Sequence, residues 1–358
     1  MLKTLASRVS VLSVVGVLAW IACPSAAQLT AERVYNGVDR PVPVLVALPA
    51  AGDAQVVLHD AATGEEVARA DVDGETADLA RLFPMLWAEK ANRVFKAQLE
   101  VNGRDVGSAL ILQPMVSPDT AFLVDRQTQQ PTADPRNADI FFESDRFEQA
   151  AQRGMVDSAE RPFTYSGLRV YAERYVKFST QAGELLVRLR PDAAPNTAFN
   201  FMHLAEGGFY TGIPVHRIVP DVRGNRFVIQ FGDPTGTGSG GPGYLIDLEK
   251  TPLLHDYGVI SMARSGDPDS GGSQVFICLS RAGTDFLDRR YTAFAEVVEG
   301  SEAIETLAAT PVGPGDRPLE LPVVLSAELV PAPPVDQTPE RVQDPTLSGA
   351  DGEGGMAP

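Results

Sequence analysis

Cysteine is nearly absent from this chain: 358 residues hold two, Cys23 and Cys278. Cys23 lies in an N-terminal segment with the features of a cleavable signal, so Cys278 is expected to stand alone, which excludes an intrachain disulfide framework. Within Val275-Phe276-Ile277-Cys278 it reads as a buried apolar thiol rather than a reactive one. Histidine is scarce too, and His59, His203, His216 and His255 show no ligand spacing, so no metal site is expected and His216 is taken as structural. Positive charge is in deficit, with 30 Lys and Arg against 47 Asp and Glu, a formal charge of −17. Such a surface repels a phosphate backbone and argues against nucleic acid as a partner. Past the first residues no apolar run can span a bilayer, so no stable membrane span is expected. The glycines from Gly236 to Gly243 are not followed by Gly-Lys-Ser/Thr, which favours a network of turns over a phosphate loop.

What is present is the composition of an ordinary folding chain, 44% hydrophobic and 22% charged. Lys3 and Arg8 precede an apolar run from Val9 to Ala22, and Ser25-Ala26-Ala27 stands before Gln28. This is the layout of a secretory signal over residues 1–27, predicting export to a periplasm or the extracellular space. An uncleaved anchor and lipid attachment at Cys23 are the alternatives. Trp20 stands where a lipoprotein signal normally has Leu, which weakens the latter.

Short apolar runs broken by turn signals predict a small β-rich domain over 28–124, a sandwich being the working guess. Val44-Leu45-Val46, Val56-Val57-Leu58 and Val94 to Val101 read as strands, Asp73-Gly74 and Asn102-Gly103 as turns. A short helix is expected within Leu79 to Lys90, limited by Pro84. Residues 125–165 are polar and read as a linker with a helix near Phe147 to Arg153; residues 332–358 are rich in Pro, Gly, Asp and Glu and read as disordered. Between them, strands are predicted at Leu168 to Tyr171, Val176 to Thr180, Glu184 to Leu189, Phe227 to Phe231, Gly258 to Met262, Val275 to Leu279 and Ala293 to Val298. Helices are predicted at Pro195 to Ala205 and Ser301 to Ala308. Many strands, two helices and abundant glycine point to a closed barrel with capped ends.

This block also carries a series of motifs: Ala194-Pro195-Asn196-Thr197, Asn200-Phe201, Gly208-Phe209-Tyr210, His216-Arg217-Ile218-Val219-Pro220, Ile229-Gln230-Phe231-Gly232-Asp233-Pro234 with Gly236-Thr237-Gly238, and Gly271-Gly272-Ser273-Gln274-Val275-Phe276-Ile277. In order and spacing they resemble the cyclophilin-type peptidyl-prolyl cis-trans isomerases over nearly half the chain. The resemblance implies a mainly β fold, a closed eight-stranded barrel capped by two helices over residues 166–331. It also implies an isomerase of X-Pro bonds acting on proline-containing polypeptides. Rotation breaks no bond and needs neither nucleophile, metal nor cofactor. By resemblance Arg217 donates to the proline nitrogen as the bond twists. Phe227, Val228, Phe276 and Leu287 cup the ring, with Met262 nearby. Gln230 and Gln274 bind substrate backbone, Ala263 and Arg264 lie along the peptide, and Phe286 and Tyr291 complete the wall.

Several positions depart from the family pattern. Asp221 to Arg226 is an insertion expected either to shift Arg217 or to add Arg223 and Arg226 to the rim, and Phe286 replaces the Trp that contacts cyclosporin in sensitive members, so weak cyclosporin binding is expected. Arg264 stands for Asn, Val228 for Met, and the loop Ser265 to Gly272 is one residue longer. Taken without the family, Phe227 and Phe276 read as core residues and Arg217 as a solvated charge. Two other functions stay open: a barrel that binds without catalysing, and a holdase using the front domain.

Overall fold

The computed structural model describes residues 28–48, 52–88, 93–153, 155 and 164–347. The signal expected over residues 1–27, including Cys23, lies outside these.

In the front half the expected strands form, and they fall into two sheets. Gln28–Ala31, Pro43–Ala47 and Thr76–Asp78 make a three-stranded sheet; a six-stranded one runs in the order Tyr35–Gly37, Tyr165–Ala172, Arg104–Val116, Phe95–Val101, Ala54–Asp60, Glu66–Asp71. The tightest connection is Asn102-Gly103, joining Val101 to its partner Arg104. Both residues have positive φ, 50° and 74°, which a two-residue hairpin turn of the twist-matching kind demands. Leu29, Val44 and Val46 from the small sheet share one core with Val56, Leu58, Leu99, Leu110 and Leu168 from the large one. Each such side chain contributes roughly 1.5–3 kcal/mol by leaving water. Pro84 breaks the expected helix into Leu79–Leu82 and Met85–Ala88, and the Asp78 carboxylate caps the first by accepting from Ala80 N.

Two boundaries differ from the sequence reading. Tyr165–Ala172 pairs with Arg104–Val116, so Leu168 to Tyr171, expected to open the barrel, belong to the front sheet. Its alternation fitted either sheet, because a strand's pattern names a buried face and not the sheet that buries it. Glu173 alone separates it from the first barrel strand, and its carboxylate meets Lys96 of the front sheet at 2.6 Å, both side chains largely buried. The residues taken as linker also carry structure: Ala121–Asp125 pairs with Ala138–Phe142, and a helix follows at Glu143–Gln152.

The barrel block is an eight-stranded antiparallel sheet in the order Arg217–Val219, Val228–Phe231, Val275–Cys278, Val259–Met262, Ala293–Glu299, Gly183–Leu189, Arg174–Thr180, Val324–Pro331. The expected closure is not a strand ladder. Among the described residues only the isolated Pro214–Val323 bridge and main-chain bonds from Gly212, Val215 and Val324 join the two edges, because Pro214 and Pro322 lack the N–H groups a continuous ladder needs. The helices Pro195–Glu206 and Ser301–Ala308 pack Phe201, Met202, Ile304 and Leu307 onto the sheet's apolar face. The strands Arg217–Val219 and Val324–Pro331 were not expected.

Residues 332–347, read as disordered tail, are placed against both halves. Ser108 Oγ donates to Ala332 O at 2.7 Å and Val335 N to Gln98 Oε1 at 3.1 Å. Farther on, Val342 N donates to Val297 O and Arg341 pairs with Asp256. A tail poor in apolar residues is fixed by main-chain bonds and ion pairs, which composition does not display. Residues 348–358 lie outside the described ones.

Candidate active site

Register builds the site. Arg217 pairs with Gln230, Gln230 with Phe276, and Phe276 with Ser261, so these four side chains form one row on one face of the sheet. The adjacent row, Ile218, Ile229, Ile277 and Ile260, points the other way into the barrel core. Alternation along four strands thus fills the interior with isoleucine and presents an arginine, an amide and an aromatic ring outside it.

A cavity of ≈180 Å³ opens on that outer face, lined by Arg217, Phe227, Val228, Gln230, Ala263, Arg264, Phe276, Leu287 and Tyr291. Its apolar wall is one packed cluster in which Val228, Phe276 and Leu287 are buried. Phe276 meets Tyr291 edge-on at 5.7 Å, and His255 stacks behind it at 6.1 Å. His255 is itself fixed by Asp288 at 3.0 Å and Ser261 Oγ at 2.9 Å. That ring support was missed by the sequence reading, since His255 lies in no motif.

Arg217 is part-exposed at the mouth. Its Nη1 donates to Gln230 Oε1 at 3.4 Å and its Nη2 reaches Asp316 Oδ2 at 3.2 Å. Gln230 Nε2 donates to Gln274 Oε1 at 3.0 Å, and Gln274 Nε2 in turn donates to the carbonyls of Gly238 and Gly240. Gln230 therefore turns its oxygen toward the arginine, and Gln274, anchored by the glycine loop, holds it there. That loop is shaped by Asp233. Burial alone raises its carboxyl, but hydrogen bonds from Thr235, Gly240 and Gly238 outweigh this and hold it well below the usual carboxylate range. Asp316 sits in a Gly313-Pro314-Gly315-Asp316 turn, and no pattern marked it.

Three expected residues stand apart from the cavity. Gln274 lines a neighbouring cleft of ≈730 Å³ together with Tyr244, Leu245, Arg264 and Ser270. Met262 is buried and faces the barrel core. Phe286 stacks on the outside of Phe227, rings 5.6 Å apart and nearly parallel, and is itself exposed. Of the two inserted arginines, Arg223 lies over Phe286, whereas Arg226 turns away to Glu305 and Asp344. The expectation that Arg226 joins the rim is corrected: two carboxylates hold it elsewhere.

Residues 175–329 match the model of the family described as cyclophilin type peptidyl-prolyl cis-trans isomerase/CLD. A Staphylococcus saprophyticus protein named for peptidyl-prolyl cis-trans isomerase activity is 34% identical over 181 residues, 42% of this chain and 89% of that one. The chain belongs to the cyclophilin family. A peptidyl-prolyl cis-trans isomerase of Arabidopsis thaliana is 36% identical over half of this chain, but only 31% of its own length is covered. A crystal structure of a Cryptosporidium parvum cyclophilin in the presence of the dipeptide Ala-Pro is 31% identical, covering 44% of this chain and 98% of that one with a TM-score of 0.40. The front sheets of this cyclophilin precede the matched residues.

Proposed function

We propose that this cyclophilin accelerates rotation about X-Pro bonds in exported polypeptides, with the nine cavity residues as its site and Arg217 as its donor. The observation that carries the reading is a guanidinium at the mouth of a cavity of ≈180 Å³ with one apolar wall of Phe227, Val228, Phe276 and Leu287. A proline ring fits such a cup, and the barrier to be lowered is about 18–20 kcal/mol because the C–N partial double bond is lost. As the bond twists, the proline nitrogen regains its lone pair. A donor fixed beside it then favours the twisted state over the planar one, which is what raises a rate. Gln230 and Gln274 offer amide groups to the substrate backbone, and the cavity grips a ring rather than the residue before it, so selectivity there is loose. Cyclosporin binding is expected to be weak, Phe286 lying outside the cavity lining.

Export rests on the basic start, apolar stretch and small residues of positions 1–27. Among the described residues no helix is long and apolar enough to cross a membrane.

A second reading, a binding module with weak catalysis, is favoured by the Asp316 carboxylate that already occupies Arg217. An assay of a cis-proline peptide with residues 28–358 beside Arg217→Ala separates the two. Acceleration that falls about 10²–10³-fold in the variant supports the isomerase. Peptide binding without acceleration in either protein supports the module.

A further inference from the structure

The hairpin and helix at 121–152, outside the residues that match the family, press on the cyclophilin block at four points. Ala121 and Phe142 pack with Leu248. Asp145 pairs with Lys250 at 2.6 Å. Pro135 lies so close to Gly266 that a methyl group there would come within 3.0 Å of its Cγ. Asp139 receives Arg290 Nη2 at 3.2 Å and Arg126 Nε at 2.9 Å.

The last contact leads into the site. The carbonyl of Arg290 accepts Arg264 Nε at 3.0 Å, and the Arg264 guanidinium lies over Tyr291, 4.5 Å from the ring centre. Arg264 lines both the ≈180 Å³ cavity and the ≈730 Å³ cleft, as do Gln230 and Ala263, so these three separate them and Arg264 is the one that the hairpin's contacts reach. Gly266, touched by Pro135, belongs to the loop that leaves this partition. The hairpin therefore holds both the arginine's anchor and its loop.

We propose that the 121–152 hairpin and helix form a specificity element, Asp139 and Pro135 positioning Arg264 so that it governs which peptides pass from the proline cavity into the cleft. This rests on the isomerase reading of the site. On this proposal the side chain two residues before proline is the one that enters the cleft past Arg264, whereas a glycine there makes no demand on it.

The test uses the full chain, Asp139→Asn and Gly266→Ala, with two peptides that differ only in having phenylalanine or glycine two residues before proline. Turnover is followed by kcat and KM, and binding by calorimetric Kd. In both variants the phenylalanine-to-glycine ratio of KM and of Kd is expected to shift about threefold, the scale of an exposed ion pair. The kcat for the glycine peptide is expected to stay unchanged, and Asp139→Glu to restore the parent ratio. Ratios that stay put in both variants, or equal losses on both peptides, would overturn the proposal. A parent that binds without turnover defeats the isomerase reading while the Kd ratio still decides this one. A parent that binds neither peptide defeats both.

Discussion

Arg217 would meet substrate with one of its nitrogens already engaged by Asp316 at 3.2 Å. Both side chains are about two-fifths exposed, so water and salt weaken the pair. Asp316→Asn is expected to raise kcat about two- to fivefold by freeing the donor. Stopped-flow turnover checks this; a fall of similar size would mean that the carboxylate holds the guanidinium in place. His216, next along the chain, offers a pH test. Burial pushes its imidazole below the ordinary 6.5, assisted by Arg317 and Arg217 and opposed by Asp233. The unfolded chain then binds a proton below about pH 6.5 that the folded one refuses, so the group's contribution to stability falls as pH drops through that value. Urea melts at pH 7.5 and 5.5 should show the parent losing more stability than His216→Asn. Equal losses would show that the folded imidazole titrates freely. Of the residues here, Arg217 and Phe276 were legible because they stand inside the family motifs, and Phe227 and Tyr291 through the resemblance of the stretches around those motifs. Asp316 and His255 were not: they act by reaching across the fold, and neither a turn aspartate nor a lone histidine carries a local pattern.

At the scale of elements, the helix Pro195–Glu206 has alanine at its N-cap, with no side chain to satisfy the exposed N–H groups. Glu249, from a distant loop, does this instead, accepting from Asn196 N at 3.0 Å and from Thr197 N and Oγ1 at 2.7 Å. Burial pushes its carboxyl up and these donors pull it back, leaving it above its ordinary value. Glu249→Ala is expected to cost roughly 1–3 kcal/mol in urea unfolding, since buried donors lose their acceptor, with turnover per folded molecule retained. A loss under about 0.5 kcal/mol would show that water replaces the carboxylate without penalty. The helix itself could be read from Pro195 and its apolar spacing, but its cap could not. Likewise the central strands announced themselves as apolar runs, whereas Arg217–Val219 has only three residues and Val324–Pro331 is half exposed. Short and one-sided strands give periodicity little to register.

For the whole molecule, strands, ion pairs and the tail decide where a stable unit ends. A fragment of residues 166–331 carries Leu168 and Val170 without the sheet that buries them, and lacks Val342, Arg341 and Asp344, which bond to Val297, Asp256 and Arg226. A fragment of residues 173–347 leaves that apolar strand behind and keeps the tail. Losing the tail contacts removes roughly 2 kcal/mol, which in a domain of this size lowers the melting temperature by about 5 °C. The stray strand adds an unpaired apolar edge, a template for association. Scanning calorimetry and light scattering on the two fragments should therefore find 173–347 monomeric with the higher transition, and 166–331 lower and prone to associate. If the two melt together and both stay monomeric, the tail is a passive covering and the strand at 165–172 tolerates separation from its sheet. If the longer-tailed fragment alone behaves, the tail strap is part of what stabilises this cyclophilin's barrel. The barrel edges at Pro214 and Val323, joined by an isolated bridge and the main-chain bonds beside it, would then depend on contacts made beyond the residues that match the family.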